Sequence, residues 1–100
     1  MLLDNKNEPI DNIEINKDSM TATVFVPKEI VKEALLKSAS SIILVHNHPL
    51  GKTTPSQVDI EMTERIIQAC NYVGIKVLDH IIIGKNFDHF YSFAKEGKIK

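Results

Sequence analysis

"SIILVHNHPLGKTTPSQVDIEMTERIIQAC", residues 41–70, runs from an apolar stretch through a turn-rich loop into a segment with a different hydrophobic period. Its first part, "SIILV" at 41–45, lacks polar alternation, as expected of a strand covered on both faces. In its last part Ile60, Thr63, Ile66, Ile67, Cys70 and then Val73 recur at three- and four-residue steps, which predicts an amphipathic helix over 56–73. Ser56 stands where an N-cap belongs and Gly74 where a C-terminal glycine belongs. A second apolar stretch, "IKVLDHIII" at 75–83, follows directly. Strand, helix, strand in that order predicts a sheet flanked by helices.

The flanking segments extend the same pattern. "TATVFV" at 21–26 is β-branched and aromatic and reads as a strand; Pro27 closes it and opens a helix over 27–39 with Ile30, Val31, Ala34 and Leu35 on its apolar face. Further upstream, "MLLD", the turn formers "NKNEP" and "IDNIEI", with Ile10, Ile13 and Ile15, read as a hairpin. Downstream, "GKNFD" turns the chain into "HFYSFAK" at 89–95, expected to be a last antiparallel strand. No internal repeat, low-complexity tract or linker interrupts this order of elements. With 100 residues, 43% of them apolar, the chain is expected to form one domain around one core over 1–100.

Composition narrows the partners. The formal net charge is −1 with acids and bases interspersed, so no basic block is available to neutralise phosphates and nucleic-acid binding is not expected. Cys70 is the single cysteine, which excludes an internal disulfide and a cysteine-based zinc knuckle and fits a reducing, cytoplasmic setting. The apolar runs are strand-sized, so neither a signal peptide nor a membrane partner is expected.

The chemistry-bearing residues cluster at 46–59. In a strand, residues i and i+2 share a face, so His46 and His48 at the end of "SIILV" present two imidazoles side by side. "PLGKTTP" carries a glycine and two prolines and can return the chain rigidly, which brings Asp59, one turn into the next helix, back towards the strand end. Two imidazoles, one carboxylate and an open fourth position make a catalytic zinc set. Ser56, at the helix start, can donate to an oxyanion formed when activated water attacks a carbonyl. Ser56 and Asp59, three residues apart, also form a near capping box, so these two residues alone fit helix initiation equally well.

The spacing H-x-H, seven residues, S, two residues, D resembles that of the JAMM (MPN-plus) metalloproteins. "LVHNHPLGKTTPSQVDIEMTERI" followed by "LDHIII" is similar to the RadC family, a likeness that extends from "LLDNKN" through "VPKEIVKEAL" to "FYSFAKEGKI". The resemblance implies a three-layer α/β/α mixed sheet of the JAMM and cytidine-deaminase type, with one Zn²⁺ held by His46, His48 and Asp59. It further implies that Ser56 supports a tetrahedral intermediate, and that the substrate is a peptide or isopeptide. Leu50 departs from the serine common in the RadC "HNHPSG" stretch, at a position that is not a ligand. RadC proteins carry the customary label of DNA repair, which the near-neutral charge does not favour.

A second departure concerns the start of the chain. JAMM enzymes use as general base a glutamate preceding the strand that ends here in "LLD", and this sequence opens at "MLLD". Glu8, in a turn, and Glu14, in the following strand, do not match that position. Loss of a positioned base costs about 10² to 10⁴ in rate. The chain is therefore expected to bind metal better than it hydrolyses, with a metal-binding or protein-interaction module as the alternative to a metallopeptidase. A shortened first strand is also expected to fray or to pair with a second copy, giving a homo-oligomer.

Other polar residues admit plainer readings. Asp79 and His80 fall mid-strand on opposite faces, either as a hydrogen-bonded pair supporting the sheet or as contacts orienting a zinc histidine. Asp88 and His89 are expected in an exposed turn, and Cys70 in the core. The trigram "HNH" lacks the dispersed residues of a ββα nuclease. Neither HExxH nor the deaminase H-x-E with P-C-x-x-C is present.

Overall fold

The computed structural model describes residues 1–13, 27–47, 53–84 and 89–99. Strands β1 (Leu2–Leu3) and β2 (Pro9–Asp11) precede helix α1 (Pro27–Leu36), followed by β3 (Ser41–Asn47), α2 (Gln57–Tyr72), β4 (Lys76–Ile83) and β5 (Phe90–Ser92). Among the described residues the strands form one mixed sheet in the order β2-β1-β3-β4-β5, parallel only between β3 and β4. A parallel pair needs a long crossover, which α2 supplies. The α/β class and the mixed sheet are those expected from the sequence. The expected strand at 21–26 lies outside the described residues.

β1 is short. It sits inside the sheet, with Leu2 opposite Asp11 on one side and Ile42 on the other, and both its leucines are buried.

Both helices end in the same way, and the ending explains where the first one stops. In α2, Gly74 (φ 81°) lets Ile75 N donate to Cys70 O at 2.8 Å and Gly74 N to Asn71 O at 3.1 Å, the two bonds of a Schellman motif. In α1 the same bonds run from Ala39 N to Ala34 O (2.9 Å) and from Ser38 N to Leu35 O (3.1 Å). Here the left-handed residue is Ser38, at φ 54°. The helix expected to reach residue 39 therefore stops at Leu36, because Ser38 turns left-handed without a glycine to announce it.

The helices contact one another, and Ile30, Ala34, Ile66 and Cys70 join Ile42, Leu44, Val77, Ile82 and Phe93 in one core. Along β3, the alternation that buries Ile42 and Leu44 also buries His46. In β4 the register shifts: Ile42 faces Val77, whereas Ile43 faces Asp79 and Leu44 faces His80. Leu78 is the extra residue of this bulge. Strict alternation from buried Val77 would have turned Asp79 inward, so the bulge is what sends His80 into the core and Asp79 to the opposite face.

Candidate functional site

The site forms where the end of β3 meets the start of α2. Ser56 and Asp59 make the full capping box: Asp59 N donates to Ser56 Oγ at 3.1 Å, and Ser56 N donates to Asp59 Oδ2 at 2.8 Å. This fixes the Asp59 rotamer and leaves its other oxygen, Oδ1, 3.6 Å from His46 Nδ1. Both side chains are buried, at 3% and 9% exposure, so the polar pair lies apart from bulk water. The Asp59 carboxylate thus serves the helix cap with one oxygen and faces His46 with the other.

Beneath this pair lies a second polar link. Thr63 Oγ1 is 2.7 Å from the carbonyl oxygen of Asp59 and 2.6 Å from His80 Nδ1. A carbonyl only accepts, so the single hydroxyl proton of Thr63 goes to Asp59 O; His80 must then donate from a protonated Nδ1. The geometry thereby selects the His80 tautomer. The His80 ring stacks between His46 (centroids 5.9 Å, 22° between planes) and Phe93 (4.7 Å, 8°), and Tyr91 meets Phe93 edge-on at 5.3 Å. Distances of this size are those of favourable aromatic pairs.

Asp79 serves another corner. Its Oδ1 accepts from His80 N (2.7 Å) and Ala94 N (2.9 Å), and its Oδ2 accepts from Ser92 Oγ (2.6 Å). It ties β5 and the following turn to β4 and is not brought to His46. Cys70 is fully buried, and burial pushes its thiol up to about 11. His89 is exposed, as is Glu8 before β2. His48, Glu14 and Asp88 lie outside the described residues.

Among the described residues, no three His, Cys, Asp or Glu side chains stand close enough together to hold a metal ion. They contribute a pair, and the pair fits such a group. Ligand bonds of about 2.0 to 2.2 Å put two ligands of a tetrahedral zinc about 3.4 Å apart, close to the 3.6 Å between His46 and Asp59. The donor types, an imidazole nitrogen and a carboxylate oxygen, are those zinc takes. Thr63 is the residue sequence reasoning missed as a polar one. Its signal was a hydroxyl four residues after Asp59, inside a stripe otherwise read as apolar.

The sequence model of the RadC-like JAB domain matches residues 1–98. A UPF0758 protein of Coprothermobacter proteolyticus is 50% identical over 96 residues, covering 96% of this chain and 40% of that protein. One of Geotalea uraniireducens is 45% identical over 97 residues, covering 97% and 42%. Another, of Caldanaerobacter subterraneus subsp. tengcongensis, is 50% identical over 84 residues, covering 84% and 36%. The chain spans about two fifths of the length of the curated relatives it matches.

Proposed function

Since the chain belongs to the RadC-like JAB domain family, we propose that its site is a JAMM-type metal centre, one Zn²⁺ held by His46, His48 and Asp59, in a metallohydrolase that cleaves an amide or isopeptide bond. One observation carries this reading: the Asp59 carboxylate is divided, with Oδ2 held by Ser56 N and Oδ1 directed at His46 in a buried setting. A carboxylate present only to cap a helix does not need a buried imidazole beside its second oxygen.

Zinc bound there would supply Lewis acidity, lowering the pKa of a water towards about 7 and polarising a carbonyl. The chain's own residues do the rest. Asp59 and His46 are held in place before any ion arrives, so little ordering cost remains at binding. Ser56 Oγ accepts from Asp59 N, which leaves its own proton to donate to a carbonyl oxygen as that oxygen becomes an oxyanion. The proton released by the attacking water needs a base, the role the JAMM resemblance gives to an acid ahead of the first strand.

The test has two stages. Zinc content of protein prepared without chelator is compared with that of His46→Ala and His48→Ala; loss in both variants supports the centre, and equal content in all three removes it. Amide hydrolysis is then measured for this chain and for a longer one of the relatives' length. Zinc binding without cleavage by either would reduce the reading to a metal-binding or interaction module.

A further inference from the structure

Two ligands proposed for the metal come from different elements, His46 from β3 and Asp59 from α2. Something must hold them in mutual register. Besides their direct approach, a chain of contacts runs from one to the other: Thr63, one turn beyond Asp59, bonds the Asp59 carbonyl, and His80, bonded to Thr63, stacks on the His46 ring.

We infer that Thr63 and His80 are positioning residues for the metal centre, a buried brace that sets the plane of His46 and the backbone of Asp59 together. The inference rests on the zinc reading above. Two independent features of the fold support it. The bulge at Leu78 is what turns His80, and not Asp79, to the inner face, and bulges re-aim side chains in this way. Phe93 lies nearly parallel to His80, 8° between planes with centroids 4.7 Å apart, so the His80 ring is packed against a second ring besides His46. A histidine kept only to fill the core needs neither a determined tautomer nor a hydroxyl bonded in turn to the helix that carries the carboxylate. Outer groups that orient metal ligands are costly to lose, at about 10- to 100-fold in metal affinity.

The experiment uses the whole chain with Zn²⁺ in competition against a chromophoric chelator, and Co²⁺ as a spectroscopic substitute. Thr63→Val keeps the shape and removes the hydroxyl. It is expected to weaken zinc binding by about 10- to 100-fold and to shift the Co²⁺ visible bands, while Thr63→Ser restores most of both. A Thr63→Val protein that melts earlier in the apo form but binds zinc as wild type shows a merely structural role and overturns the inference. Should Thr63→Val not fold, His80→Phe keeps a ring in the stack and removes the donor, and wild-type affinity there overturns it equally. The two readings fail separately. If His46→Ala loses zinc while Thr63→Val keeps it, only the brace falls; if His46→Ala keeps zinc, the centre falls and the brace with it.

Discussion

Asp59 Oδ1 lies 3.6 Å from His46 Nδ1, joining the first turn of α2 to the end of β3 through two buried side chains. The distance is longer than a hydrogen bond and close to the spacing of two ligands on one small cation. Because Ser56 N holds the other carboxylate oxygen, the cap of the helix and the orientation of this carboxylate are the same structural device.

Ser56→Ala should therefore have two effects that separate cleanly. Loss of the cap is expected to lower stability by about 1 kcal/mol, read by urea denaturation. In a hydrolytically active longer chain, removal of the oxyanion donor is expected to lower kcat by about 10² to 10³. Zinc content should stay near wild type, since neither effect removes a ligand. A kcat unchanged in the variant would assign Ser56 to capping alone.

The two helix ends, alike in backbone, predict opposite signs for opposite substitutions. Gly74→Ala places a Cβ in open space but at φ 81°, so only backbone strain of about 1 kcal/mol opposes it. Ser38→Gly removes strain at φ 54° and is expected to raise stability by up to about 1 kcal/mol. Chemical denaturation of both variants checks the pair, and neither should change metal binding.

Much of this fold was legible because its strongest signals are local. The apolar run at 41–45, the period of α2, Ser56 at its start and Gly74 at its end are each set by residues within a few positions of one another. Three features were not legible, for different reasons. Ser38 adopts a conformation its side chain does not announce. The bulge at Leu78 depends on how β4 meets β3, which no local pattern encodes. Thr63 looked like a member of an apolar stripe because its partners, a carbonyl four residues back and His80 17 residues on, meet only in the folded chain. Of the residues singled out, the fold brings His46, Ser56 and Asp59 together, and Asp79 lies on the face opposite His80.

Asp79 should behave as a staple and not as a metal support. Asp79→Ala leaves Ser92 Oγ and the Ala94 and His80 N–H groups without their acceptor. A loss of roughly 3 kcal/mol in unfolding free energy is expected, with zinc affinity near wild type in the fraction that remains folded. A metal-affinity loss as large as that of Thr63→Val would show that Asp79 also acts on the site.

Cys70 predicts a pH dependence. Burial raises its thiol in the folded chain from the ordinary 9.0 to about 11. Above pH 9 the unfolded thiol gives up its proton while the folded one keeps it, so the unfolded state binds fewer protons and stability falls as pH rises. This contribution is intact below pH 9 and lost progressively between about 9 and 11. Thermal melts over that range, compared with Cys70→Ala, should show a steeper decline in the wild type. Near pH 8 the native thiol should resist alkylation until the chain is unfolded.

The zinc stoichiometry of wild type against Asp59→Asn, by native mass spectrometry on protein prepared without chelator, tests the metal centre itself. Asparagine keeps an oxygen to accept from Ser56 N, so the helix start is preserved while the carboxylate charge beside His46 is removed. One zinc per chain in the wild type and its loss in a folded Asp59→Asn is the predicted result. Equal zinc in both proteins, or none in either at saturating Zn²⁺, would rule out a zinc centre at His46 and Asp59.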